Sequence, residues 1–206
     1  MKLTYRLLLI FTLSLTVFSQ RTTASAADTF KFSGESAQTT FSTIDGCILT
    51  EVGVLTSEGI FKSPPGKGNP TSEAFLIISQ VDLCTDTYIF FANGSAQLAD
   101  TDFQVSGKLE SATLNTTVSV FDQVSQTFLD VFVDLAWTGV GPLSRESTNF
   151  HSKSPGCKVH SRFKGTLRFA EASGSVSDGT TNFTPDPAID ARIFSTKSGD
   201  VVIGCN

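Results

Sequence analysis

The sequence is poor in the residues that carry acid–base and stacking chemistry. Its 206 residues include two histidines, one tryptophan and two tyrosines. With two histidines, catalysis near neutral pH has few groups to use. No window of useful length repeats its apolar residues every 3.6 positions, which argues against a helical fold. Basic residues are outnumbered 15 to 20 by acidic ones, so the chain lacks the charge of a general nucleic-acid binder.

The first 26 residues have the pattern of a secretory signal peptide. Lys2 and Arg6 precede an apolar run from Leu7 to Phe18, and a polar stretch then closes on Ala24-Ser25-Ala26. The apolar run is too short for a permanent membrane anchor, and no second run of that length follows. We therefore expect residues 27–206 to form one exported domain without a transmembrane segment, either secreted or periplasmic.

The four cysteines all lie in the expected exported part, where an even count indicates disulfides. Antiparallel pairing around the loop 63–69, with Thr56 opposite Phe75, brings the first two cysteines together. The same kind of antiparallel pairing brings the last two cysteines together. No two cysteines have the two-residue spacing typical of a metal site, so we predict no metal and no cofactor. The predicted bridges are Cys47–Cys84 and Cys157–Cys205.

Short alternating stretches between turn residues predict an all-β fold. We expect an antiparallel β-sandwich or barrel of about 10–12 short strands. The clearest element is a hairpin from Leu109 to Gly139 that turns at Asp122 to Gln126, with Trp137 on its core side. Further turns or loops are predicted at Asp45-Gly46, Asn93-Gly94, residues 139–149, Ser154-Pro155-Gly156 and Ser198-Gly199-Asp200.

The stretch from Cys157 to Phe169 alternates between an apolar side and a basic side. It belongs to residues 145–170, which hold six basic side chains and one acidic side chain, Glu146. The basic side carries Lys158, His160, Arg162, Lys164 and Arg168. We favour the interpretation that Asp130 and Asp134, on a neighbouring strand, neutralise this side. The alternative is binding of an anionic polysaccharide or an acidic protein.

Phe128 and Phe132 lie opposite the core side of their strand. Either a second layer covers them, which we expect, or they form an exposed apolar patch. The chain contains 18 phenylalanines, which motivates a second hypothesis: a carrier of a small hydrophobic ligand in a barrel or an inter-sheet cavity.

Evidence for catalysis is weak. Gly34-Glu35-Ser36 resembles the start of an esterase nucleophile elbow, but the closing glycine is replaced by Gln38. Nothing in the sequence places a nucleophile or a metal beside His151 or His160. We therefore assign no catalytic residue. The leading hypothesis is a non-enzymatic exported β-domain that binds or scaffolds at the cell surface or in the periplasm, and a hydrolase of unknown substrate is the third.

Overall fold

The computed structural model describes residues 28–63, 68–154 and 157–205. The predicted signal peptide and the Pro155-Gly156 turn lie outside these residues. Nine antiparallel strands and one 3-10 turn at Gly107–Leu109 make up the described fold. No helix in these ranges is long and apolar enough to cross a membrane. The strands are β1 (Asp28–Asp45), β2 (Ile48–Lys62), β3 (Asn69–Asp82), β4 (Thr87–Gln97), β5 (Phe103–Val105), β6 (Ser111–Asp122), β7 (Thr127–Ser154), β8 (Cys157–Ser177) and β9 (Asp190–Cys205).

The strands form one sheet that closes on itself. Their order is β4-β3-β2-β1-β9-β8-β7-β6-β5, and β4 also pairs with β6. The β4–β6 pairing that closes the sheet is short and consists of three residue pairs, from Ala92 to Gly94 on β4; we call it the closing seam. β5 pairs with another part of β6. Eight strands complete the circuit, and a barrel of that size has an interior that side chains can fill. Of the two predicted architectures, the structure is the barrel.

Alternating residues of the strands fill the barrel interior. The predicted hairpin is confirmed as β6 and β7, and its core side is buried as expected. Trp137 has no exposed surface, and its indole Nε1 donates a hydrogen bond to the carbonyl oxygen of Gln38 on β1, 3.1 Å away. The largest side chains buried with it are Phe103, Leu76, Ile78, Leu114, Leu135 and Ile193.

The strands are fewer and longer than predicted. β1 is one strand of 18 residues, where alternation in the sequence predicts two short strands, Thr29 to Gly34 and Ala37 to Ile44. β9 runs straight through the expected turn at Ser198-Gly199-Asp200. Residues 139–149, expected to form a loop, belong to the 28-residue β7. Asn93-Gly94 is also not a turn. An added Cβ on Gly94 would lie 2.2 Å from the carbonyl oxygen of Ser119, so glycine there permits the close approach of β4 and β6.

The Cys47–Cys84 disulfide is confirmed, with 5.6 Å between the two Cα atoms. The register behind its prediction was wrong by one residue, since Thr56 pairs with Ala74 and Phe75 pairs with Leu55. For the second bridge, the backbone of Cys157 lies opposite that of Cys205. The side chain of Cys205 is outside the description, so the Cys157–Cys205 bridge stays a prediction.

Five strands continue past the barrel as a sheet extension, formed by residues 28–33, 60–62, 145–154, 157–165 and 198–205. Three shifts in the strand register mark its boundary, between β1 and β9, β7 and β8, and β8 and β9. At the same level Gly34 and Gly59 face each other so closely that a Cβ on Gly34 would lie 2.1 Å from the oxygen of Glu58. Bulges and glycines of this kind are typical of barrel rims.

Candidate functional site

One face of the sheet extension is covered with basic side chains. Residues directly opposite each other in antiparallel strands share a face, so the register assigns each side chain to a side. We call these seven residues the cationic face: Lys31, Lys62, Arg145, Lys153, Lys158, Arg162 and Lys164. With about 3.3 Å per residue along a strand and 4.8 Å between strands, the cationic face measures roughly 19 Å across its five strands and roughly 26 Å along β7. All seven side chains are exposed.

The cationic face has little internal neutralisation. Asp200 is the only carboxylate on this side of the described extension, and it lies between Arg162 and Lys31 in the register. It is 3.8 Å from Lys31 Nζ. The other ion pair among the described residues, Arg192 with Asp190, is on the barrel. At least five of the seven cations are therefore available to an external anion.

The expected pairing with Asp130 and Asp134 is wrong. These carboxylates are on β7, which does pair with β8, but β7 is long enough to separate them from the basic segment. Asp134 lies opposite Ser175, and Asp130 lies beyond the last β7–β8 pair. The basic part of β8 pairs instead with residues 144–154 of β7, which add positive charge.

The two histidines meet on the same side as the cationic face, midway along the β7–β8 pair at one edge of the extension. His151 of β7 and His160 of β8 are directly opposite, and their rings stack with 4.0 Å between centroids and 11° between planes. His160 Nε2 lies 2.8 Å from Asn149 Oδ1. An amide oxygen only accepts, so Nε2 donates and Nδ1 is the nitrogen left for a second proton. No nucleophilic side chain takes part in this contact.

Four of the five predicted basic residues share the face, and the fifth is separate. Lys158, His160, Arg162 and Lys164 follow one another along β8, whereas Arg168 lies beyond the boundary, at the barrel. Its guanidinium packs beside Gly139 and reaches the carbonyl oxygen of Lys108 at 3.4 Å. Arg168 therefore connects β8 to the 3-10 turn.

Alternation along β8 did not indicate the other members of the face. Lys31 and Lys62 are on β1 and β2, about 100 residues or more from β8 along the chain, and they join the site because Lys31 pairs with both Lys62 and Asp200. Arg145 and Lys153 fell within or next to the segment predicted as a loop. These residues could be assigned to the face only from the register of the strand pairs. In the sequence, the count of basic residues in 145–170 was the only indication of the face.

The opposite face of the extension is apolar. Phe163 lies against Gly199, where an added Cβ would be 2.7 Å from its ring, and Phe30 stacks with Phe61 at 6.2 Å. Phe150 is 54% exposed. The extension is therefore an amphipathic sheet with its positive charge on one side, while Asp28 and Glu146 lie on the other. The apolar face comprises Phe30, Phe32, Phe61, Phe150, Val159, Phe163, Val201 and Ile203.

Phe128 and Phe132 are exposed, contrary to the expectation that a second layer covers them. They are 74% and 54% accessible on the outer barrel wall. Phe128 contacts Phe121 across the β6–β7 pair, with 5.0 Å between centroids. Asp130 lies between the two rings along β7, so they do not form one continuous apolar surface.

Glu35 and Asp82 have perturbed carboxyl groups. Glu35 and Glu58 are directly opposite on β1 and β2, next to the cationic face. Burial first, and the charge of Glu58 second, raise the pKa of Glu35 above its usual value. Separately, Asp82 lies near Cys47 and Cys84 in a metal-like grouping, but the two sulfur atoms bond to each other. Hydrogen bonds from Cys84 and Thr85 lower the pKa of Asp82.

A surface groove of about 560 Å³ opens where the β8–β9 pairing ends. Phe169, Glu171 and Ile189 are among the residues that line it. Within the barrel, the space is occupied by the core side chains, and Phe183 stacks on Phe90 at 5.7 Å in that core. The groove therefore lies on the surface and is not a barrel cavity.

Comparison with protein-family models, curated proteins and solved structures finds no match for this chain. The class that the structure defines is an all-β protein with a closed antiparallel sheet and one amphipathic extension. Function has to be argued from the site alone.

Proposed function

We propose that this protein binds a linear anionic polysaccharide on its cationic face. The observation that carries the proposal is the grouping of seven cations from four strands, with Asp200 as the single acid on that side of the described extension. Exposed cations in water each contribute little, so useful affinity requires many contacts at once. A polymer with repeated charges supplies them, whereas a small anion does not.

The shape and composition of the face favour a polysaccharide over a nucleic acid. The cations are interspersed with hydroxyl and amide groups such as Ser147, Asn149 and Ser198, which can bond to sugar hydroxyls. Aromatic residues of the extension, such as Phe150 and Phe163, are on the other face. Single-stranded nucleic-acid binders place aromatic rings in the groove to stack on bases. The acidic remainder of the chain also opposes binding to a duplex.

The barrel-carrier alternative receives no support from the described residues. Trp137, Phe103 and the aliphatic side chains around them fill the interior. The groove beside Phe169 is open to the surface and carries Glu171 and Asp190, which suit an apolar ligand poorly. The hydrolase hypothesis also receives no support from His160, because its ring nitrogen bonds to the side-chain amide of Asn149.

A matched pair of variants tests the proposed function on immobilised heparin and in solution with dextran sulfate. Lys158→Gln/Lys164→Gln removes two charges from the face. Lys108→Gln/Gln104→Glu lowers the net charge by the same two units on exposed positions of the barrel. We expect the first variant to bind about tenfold more weakly at 0.1 M salt and the second to bind like the unmodified protein.

Equal losses in both variants mean that net charge alone governs retention, and the assigned face is then wrong. Absence of salt-dependent retention in the unmodified protein rejects the polyanion itself. Retention on anionic lipid vesicles, with none on dextran sulfate, indicates a membrane surface as the ligand and rejects the polysaccharide.

A further inference from the structure

We propose that His151 and His160 make polyanion binding on the cationic face pH-dependent, with stronger binding as the pH falls from 8 to 5. The inference rests on the proposed function, because it concerns the same face. Its observation is separate: the two histidines of the chain come from different strands and stack among the lysines and arginines of β7 and β8, with 4.0 Å between ring centroids.

The surroundings of the pair are almost entirely positive. Lys153 and Lys158 occupy the adjacent row on one side, and Arg162 with Asn149 occupies the other. On β9 the neighbour of His160 is Val202, so no carboxylate lies in the same row. The charged groups that face the pair are Lys153 of β7, Lys158 and Arg162 of β8, Asp200 of β9 and Lys31 of β1. Asp200 is engaged with Lys31.

An imidazolium at either position adds positive charge beside the lysines of the face. The sulfates or carboxylates of a bound polyanion sit above the same row and favour this charged form. Binding therefore takes up protons, and by linkage a lower pH tightens binding.

The size of the effect follows from the number of protons. Each proton taken up changes the affinity by at most tenfold per pH unit. We expect the pair to take up about one proton when the polyanion binds. Histidine changes charge between pH 5 and 8, hence the affinity for dextran sulfate should rise about tenfold between pH 7.5 and 5.5. The sulfate groups of this probe keep their charge throughout that range.

Glu35 is the other group near the face whose titration could produce the same trend. Burial, followed by the charge of Glu58, raises its pKa, so its negative charge is lost at a higher pH than usual. Loss of that charge also favours a polyanion. The experiment must therefore distinguish the histidines from this carboxyl group.

The test compares the unmodified protein, His151→Gln/His160→Gln and Glu35→Gln, each titrated with dextran sulfate at fixed salt, from pH 7.5 to 5.5, with a chelator present. We expect the double histidine variant to lose the tenfold rise, measured against its own affinity at pH 7.5, while Glu35→Gln keeps it. A rise that persists without the histidines, or that disappears with Glu35→Gln, overturns the inference. If the unmodified protein binds equally at all pH values, the pH effect is wrong while the proposed function stands. If it binds at none, the proposed function itself has failed.

Discussion

Closure of the barrel depends on a seam of three residue pairs, and Gly94 is the position where it can be tested. In the Gly94→Ala variant, the added Cβ would lie 2.2 Å from the carbonyl oxygen of Ser119 and 2.9 Å from Cα of Val120. Both are backbone atoms, so no side-chain rotation relieves the clash. β4 and β6 must move apart by about 1 Å, the distance to an ordinary contact.

Separation of the seam has two costs. Strain in a packed sheet amounts to about 1–3 kcal/mol. Each weakened backbone hydrogen bond adds about 0.5–1.5 kcal/mol. We therefore expect Gly94→Ala to lose about 2–4 kcal/mol of unfolding free energy, and the melting temperature to fall by roughly 5–15 °C.

Gly107→Ala is the matched control, because an added Cβ at Gly107 meets no heavy atom within 4 Å. Urea unfolding followed by tryptophan fluorescence measures both variants, and amide hydrogen exchange locates the damage. Exchange should increase for residues 92–94 and 120–122 and stay unchanged in the β2–β3 pair. If Gly94→Ala is as stable as Gly107→Ala within about 0.5 kcal/mol, the strands do not approach this closely and the barrel is not closed here.

Three further predictions concern a buried carboxylate, a disulfide and a buried tryptophan. Asp122 is 3% exposed and accepts hydrogen bonds from the backbone N–H groups of Phe91, Val124 and Ser125. Burial raises its pKa, but a hydrogen bond from the Ser125 side chain together with these backbone bonds outweighs it and holds the pKa below the usual value. The stability that these bonds provide is therefore present above about pH 4 and is lost as the pH falls through the lower pKa of the folded state. Asp122→Asn should lose about 1–3 kcal/mol of unfolding free energy at pH 7, and its unfolding free energy, measured with urea, should depend less on pH in the acid range. Cys47→Ser/Cys84→Ser opens a loop with a sequence separation of 37 residues. Unfolding in urea should then need about 3–4 kcal/mol less, and a loss under 1 kcal/mol would contradict the chain-entropy reasoning. Trp137 is the only tryptophan and has no exposed surface, so its emission should be blue-shifted and resist acrylamide quenching until the protein unfolds.

The sequence predicted those elements whose pattern is local. The β6–β7 hairpin was identified with its turn and core side because alternation is uninterrupted on both strands. β1 and β9 were each divided in two because glycine and polar residues occur inside them. At Gly199 the apparent turn is part of a strand because the ring of Phe163 from β8 occupies the place of a side chain. That reason lies on another strand, and no local pattern contains it.

The site was predicted in part for the same reason. Alternation along β8 correctly placed Lys158, His160, Arg162 and Lys164 on one side. The contribution of Lys31 depends on two strand pairings, with β2 and with β9, and these are long-range. The wrong pairing with Asp130 also arose from register, since β7 and β8 are neighbours but meet along a different stretch.

The barrel and the extension carry opposite charge, and this difference directs a polyanion to the cationic face. Residues 28–144 hold 14 acidic and 4 basic side chains, and two of those four, Lys31 and Lys62, lie on the cationic face. The barrel is therefore acidic nearly throughout, and a polyanion that approaches it is repelled, whereas the extension attracts it. At physiological salt both forces act over about 8 Å, less than the width of the face. Added salt should therefore reduce the affinity and the preference for this face together, whereas removal of one cation should reduce the affinity and leave the preference intact.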